Sequence, residues 1–133
     1  MHGRHLRRET HPRAVGTYPR LFGRYVRERG ALPIELAVYK AAGHPADVLG
    51  LPDRGRVREG YVADLVAFDP DAVRANVTYD DPMQHADGIE HVLVDGEFVV
   101  RDGEVTGTQP GSVLRSIEEW DGPVRPALTD RDD

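Results

Sequence analysis

The chain has 133 residues, 39% of them hydrophobic and 7% aromatic, which allows one compact domain with a modest core and excludes a complete large barrel. With 17 Lys+Arg against 23 Asp+Glu the formal net charge is −6, so nonspecific attraction to nucleic acid or to an anionic membrane is not expected. The lack of any cysteine excludes disulfide scaffolds, cysteine nucleophiles and thiolate zinc sites together. No apolar run approaches the roughly 20 residues of a membrane span, and Met1 to His11 lacks the hydrophobic segment of a signal peptide. A cytoplasmic location is the simplest expectation.

Residues 1–10 carry His2, Arg4, His5, Arg7 and Arg8 with only Met1 and Leu6 apolar, and are expected to form a disordered leader. Residues 11–53 read as a loop followed by helices. His11 to Arg20 holds two prolines and a glycine, which predict a shaped loop rather than a regular element. From Pro19 the apolar residues Leu21, Phe22, Tyr25 and Val26 recur at helical spacing, with Gly30 placed to end the helix. A second helix opens at Pro33, carries Ile34, Ala37, Val38 and Ala41 on one stripe, and is expected to stop at Gly43. Pro45 to Leu51 adds one or two further turns closed by Gly50.

After Gly55 the composition turns to β type. Val62 to Phe68 is nearly all apolar and predicts a strand covered on both faces. Ile89–Val94 and Glu97–Arg101 are β-runs joined by Asp95-Gly96, a two-residue turn that favours positive φ. Asp102-Gly103 repeats the signal and leads into Glu104-Val105-Thr106, which makes a short meander. Residues 54–115 thus form the β portion, and 116–133, rich in Pro, Asp and Arg after Trp120, form a flexible tail. Helices first and strands afterwards indicate an α+β class. The three or four strands are too few for a closed sandwich, so the sheet has edges and a face that need cover.

The six histidines show no His-x-His pair and no i,i+4 pair on a predicted helix, so no metal motif is present. His44 suits a turn before Pro45, His91 suits a packed position on a strand, and His85 has no partner that spacing can name. Asp80-Asp81 and Glu118-Glu119 read as solvated carboxylates. There is no GxSxG elbow, GxGxxG or Walker loop. Asp64, a carboxylate inside an apolar run, must find donors, and a structural anchor is the expected role. His11-Pro12-Arg13 is the best local candidate for function, because a proline-stiffened loop presenting a guanidinium can grip a carboxylate bidentately. The competing reading pairs Arg13 with a nearby acid or a helix C-terminus.

Two segments together resemble the metal-dependent amidohydrolases. Gly55-Arg56-Val57-Arg58-Glu59-Gly60-Tyr61-Val62-Ala63-Asp64-Leu65-Val66-Ala67-Phe68 is similar to their G-x-[IVL]-x-x-G-x-x-A-D-L-V segment, and His91 to Gly103 is similar to the hairpin that follows it. The finer resemblance is to the N-acyl-D-amino-acid deacylases, or D-aminoacylases. It runs through His11-Pro12-Arg13, Gly16-Thr17-Tyr18-Pro19-Arg20 and Leu21 to Glu28. It continues in Asp81-Pro82, Gly88 to Val94, and Gly103-Glu104-x-Thr106-Gly107-x-x-Pro110-Gly111-x-x-Leu114.

The resemblance implies an α+β fragment: the last helices of a TIM-like barrel followed by the C-terminal strands of a small β-sandwich. It implies a parent hydrolase that cleaves carbon–nitrogen bonds of linear amides, here N-acyl-D-amino acids, with zinc as cofactor. The family's zinc ligands and its general-base aspartate would lie upstream of Met1, so this chain is expected to bind no zinc and to be inactive alone. Uncovered apolar surface should result. Arg13 and His11 would sit near the substrate, with Arg13 as the clamp for its carboxylate, and a barrel-bearing chain would be the partner. Two alternatives stay open: a fragment of a cyclic-amide hydrolase or deaminase, and a non-catalytic β-sandwich module completing a separate chain.

Overall fold

The computed structural model describes residues 10–114. Apart from Thr10, the leader expected over 1–10 with His2 and His5, and the tail expected over 116–133, lie outside the described residues. The described chain is helical up to Leu49 and forms a sheet from Leu65 onward.

Helix α1 covers Arg13–Arg20 and runs without interruption into a π-wound continuation, Leu21–Glu28. The loop expected over 11–20 is therefore a helix, and the helix starts well before Pro19. Pro12 stands at its N-cap with φ −50° and ψ −28°. There a missing N–H costs nothing, and the Pro12 carbonyl accepts from the Gly16 N–H at 2.9 Å. Pro19 inside the helix cannot donate to the carbonyl four residues back, and the wider i→i+5 winding begins two residues beyond it. Gly30, at φ +57°, ends the rod as expected, with the Ala31 N–H donating to Tyr25 O at 2.8 Å.

The second rod joins α2 (Ile34–Val38), a π-wound turn (Tyr39–Gly43) and α3 (His44–Leu49). Gly43 does not stop the helix as expected. It is buried within the rod, where a Cβ would lie 2.9 Å from the Tyr39 ring, so its small size serves packing rather than termination. Gly50 closes the rod at φ +67°, and the Gly50 and Leu51 N–H groups reach Asp47 O and Ala46 O at 3.2 and 2.9 Å in a Schellman pattern.

Strands β1 (Leu65–Phe68), β2 (Ile89–Val94), β3 (Glu97–Arg101) and β4 (Glu104–Val105) form one antiparallel sheet in the order β1-β2-β3-β4. Both expected Asp-Gly turns are present, with φ of +51° and +80° at Asp95 and Gly96 and +52° and +79° at Asp102 and Gly103. The strand expected from Val62 starts only at Leu65. Nor is it covered on both faces: Val66 is 54% exposed, and Ala67, which as the next strand residue points to the opposite face, is also open among the described residues.

Helices and sheet meet through a few contacts. The Phe22 and Phe68 rings lie 5.0 Å apart. Arg27 Nη1 donates to Pro70 O at 3.0 Å and Val73 O at 2.8 Å. Gly23 admits this approach, since a Cβ there would lie 2.6 Å from Val73 O. Among the described residues the buried hydrophobic side chains are Ala37, Ala46 and Val73. An apolar cavity of about 280 Å³ remains between Phe22, Val38, Val66 and Phe68. The uncovered apolar surface that the incomplete sheet implied is thus observed.

Asp64 has the anchoring role expected of it, although its side chain is 36% exposed instead of buried. Its Oδ2 accepts from Arg54 Nε at 3.0 Å and its Oδ1 from the Asp95 N–H at 2.8 Å. Arg54 also reaches Asp53, and the Gly96 N–H donates to Ala63 O at 3.1 Å. One carboxylate therefore fixes both the incoming loop and the β2–β3 turn. Asp64→Ala should lower stability by about 1–3 kcal/mol through loss of these bonds, read as a lower urea midpoint. Asp64→Asn should recover part of the loss, because a carboxamide oxygen still accepts from Asp95.

Arg56 grips Asp47 with two bonds of 2.7 Å, tying the 53–64 loop to α3. The bidentate guanidinium holds the Asp47 carboxyl below the usual carboxylate range and raises the Arg56 pKa. A depressed folded-state pKa gives stability that is present above the ordinary carboxylate pKa of about 4 and is lost as pH falls through the lower folded value. The urea midpoint of Arg56→Gln should therefore lie below that of the native chain at pH 7, with the gap closing as pH falls below the ordinary carboxylate range. High salt should also narrow the gap, because both partners are partly exposed.

Candidate functional site

The residues singled out in the sequence, His11 and Arg13, flank Pro12 where the chain enters α1. The Arg13 N–H donates to His11 Nδ1 at 3.1 Å, so the ring takes a free N–H of the first turn as a capping side chain would. Thr17 Oγ1, one turn on, donates to Arg13 O at 2.6 Å, which keeps its hydroxyl oxygen available as an acceptor. Among the described residues the Arg13 guanidinium makes no ion pair, and Arg13 sits at a helix N-terminus, so the competing reading of a C-terminal or acid-paired arginine is not realised.

The other wall comes from the segment between β1 and β2. Arg74 and Asp87 exchange backbone bonds of 3.2 and 3.0 Å and pair through their side chains at 2.5 Å. Asn76 adds bonds to Asp87 Oδ1 and His85 O, and together with Arg74 it holds the Asp87 carboxyl below the usual range. At the tip, Thr78 and Asp81 close a tight loop: the Thr78 N–H donates to Asp81 O at 3.1 Å and the Asp81 N–H to Thr78 Oγ1 at 3.0 Å. This loop presents Tyr79, whose ring stands edge-on to His11 with centroids 5.3 Å apart and planes at 80°. Gly16 allows the two walls to approach, since the Val77 side chain occupies the space a Cβ would need.

The result is an open groove of about 340 Å³ lined by His11, Arg13, Thr17, Arg20, Val77 and Tyr79. Two guanidinium groups, a hydroxyl and an aromatic edge suit a small carboxylate that carries an apolar or polar substituent. Sequence reasoning brought His11 and Arg13 forward. It missed Thr17, Arg20 and Tyr79, because no spacing rule links position 79 to position 11.

The other described histidines do not line this groove. His44 opens α3 beside the Tyr39 ring, and His91 Nδ1 accepts the Asp102 N–H at 3.1 Å while its ring stands edge-on to Phe98. Among the described residues no three His, Cys, Asp or Glu side chains gather in a way that could hold a metal ion. These residues by themselves do not fit a zinc site. Among the same residues no helix is long and apolar enough to cross a membrane.

Comparison with known proteins agrees with the sequence resemblance. The amidohydrolase family model matches residues 5–100. D-aminoacylase of Alcaligenes xylosoxydans xylosoxydans is 44% identical over 104 residues, which cover 78% of this chain and 22% of that protein. A solved D-aminoacylase, studied for the functional role of its binuclear metal center, superposes with a TM-score of 0.72 at 45% identity over 75% of this chain and 21% of its own. N-acyl-D-glutamate deacylase of Bordetella bronchiseptica, solved with zinc and a phosphonate inhibitor, superposes with a TM-score of 0.67 at 40% identity over 73% of this chain and 22% of its own. The chain thus spans about a fifth of the length of the relatives it matches. With a match over most of its length and this likeness in both sequence and fold, the chain belongs to the amidohydrolase family, among the relatives of D-aminoacylase.

Proposed function

We propose that the chain is the C-terminal part of a zinc-dependent, cytoplasmic D-aminoacylase, which hydrolyses an N-acyl-D-amino acid to a carboxylate and a free D-amino acid. In this reading residues 13–49 are the last helices of a TIM-like barrel, and the sheet is the C-terminal portion of a β-sandwich. The metal ligands and the general base come from a barrel-bearing part that the groove completes. The observation that carries the reading is the groove itself: in a chain 44% identical to a D-aminoacylase, it gathers His11, an Arg13 with no ion pair among the described residues, Thr17 and Tyr79 around a space sized for a small carboxylate. Arg13 grips the substrate carboxylate in a fork, and His11 shapes the wall beside it.

The open apolar cavity between Phe22, Val38, Val66 and Phe68, and the uncovered face of β1, support a fold that buries further surface against a partner. In this reading the chain alone, without the part that carries the metal ligands and the general base, is inactive. A purified 1–133 chain supplied with zinc and N-acetyl-D-leucine should release no D-leucine, and zinc-dependent turnover by this chain alone would refute the reading. Joined to the barrel-bearing part, the enzyme should turn over N-acyl-D-amino acids in preference to cyclic amides and aminated bases, a panel that separates it from the cyclic-amide and deaminase alternatives. In that assembly Arg13→Gln should lower kcat/KM by roughly 10- to 100-fold, mostly through KM, as expected for loss of about 1.5–3 kcal/mol in hydrogen bonding to a charged group.

A further inference from the structure

We infer that Tyr79 is a positioning residue: it fixes the His11 ring, and His11 in turn fixes the backbone at Arg13. This rests on the reading that Arg13 binds the substrate carboxylate. Nδ1 of His11 accepts the Arg13 N–H at 3.1 Å. In the neutral ring that leaves the proton on Nε2. Nε2 lies 3.5 Å from Tyr79 Oη, so the imidazole donates and the phenol oxygen accepts. The edge-on ring contact, with centroids at 5.3 Å and planes at 80°, restrains the imidazole from the side.

The two ring nitrogens thus do different work. One holds the first turn of α1 and the other holds a residue 68 positions away. A tyrosine that is 80% exposed at a loop tip is poorly explained by packing. It is explained as a strut across the groove that sets where the Arg13 guanidinium is rooted. Substrate grip and groove width are then coupled, because any movement of the 78–81 loop is passed through the imidazole to the start of the helix.

The test is amide hydrogen exchange at Arg13, followed by NMR on the 133-residue chain. Tyr79→Phe, which keeps the ring and removes the acceptor, should speed Arg13 exchange about fivefold, the effect of one lost hydrogen bond. His11→Asn supplies a carboxamide oxygen that accepts from the N–H two residues on. In that background Tyr79→Phe should have no further effect. Unaltered amide shifts across Ile89–Arg101 confirm that the variants keep their fold. Exchange in Tyr79→Phe within twofold of the native chain, or an equal acceleration in the His11→Asn background, would overturn the inference.

His11→Asn alone gives a second reading that does not depend on how Tyr79→Phe folds. The Tyr79 ring protons should move when the imidazole is lost, and unchanged ring shifts would overturn the contact. The KM for N-acetyl-D-leucine of the assembly joined to the barrel-bearing part separates this inference from the function on which it rests. A higher KM in Tyr79→Phe than in the native assembly supports both. Coupled exchange together with a KM that neither Tyr79→Phe nor Arg13→Gln raises supports the strut and refutes only the substrate role of Arg13.

Discussion

The helical and sheet portions are joined over a narrow front, and that front governs the rest of the structure. An aromatic contact, Phe22 on Phe68, connects the first rod to β1, and Arg27, bonded to the carbonyls of Pro70 and Val73, connects it to the segment that follows. Aliphatic packing contributes little, since the fully buried hydrophobic side chains among the described residues are two alanines and Val73. Buried apolar area stabilises at about 25 cal/mol per Å², so so small a core leaves cohesion to hydrogen bonds and to ion pairs. Arg54 with Asp64, Arg56 with Asp47 and Arg74 with Asp87 supply it, fastening successive loops and elements that lie 10, 9 and 13 residues apart.

This arrangement gives a physical meaning to the family-like Ala-Asp-Leu-Val stretch. Asp64 is set just before β1, where one oxygen serves the guanidinium of Arg54 and the other serves a backbone N–H of a left-handed turn residue. A carboxylate is the side chain that can do both at once. The groove is built by the same economy: its walls are the first turn of a helix and the tip of a loop stiffened by Arg74, Asn76 and Asp87.

How far the sequence could be read depended on the range of the interactions involved. The hairpin and its two Asp-Gly turns were legible, because positive φ at adjacent residues is a local demand that few residue types meet. The helix stops at Gly30 and Gly50 were legible for the same reason. Gly43 was misread because its small size answers the Tyr39 ring in the folded state, and composition does not distinguish a glycine that ends a helix from one that makes room. Pro12 and Pro19 suggested a loop, yet the first occupies a cap and the second precedes a change of winding that tolerates it. In the groove, His11 and Arg13 stood out through a stiff tripeptide, whereas Tyr79 reaches them only through tertiary approach across 68 positions.

One end of the sheet is formed by β1, which has a single ladder partner among the described residues. Its four residues, Leu65, Val66, Ala67 and Phe68, bring no charge and no proline to that edge. Natural sheets blunt such edges with lysine, proline, inward-pointing charges or brevity. Here brevity is joined by a register shift between Ala67 and Phe68, which twists the end of the ladder out of line. The protection against unwanted strand addition is therefore geometric, and it would be lost by any change that straightened or lengthened this strand.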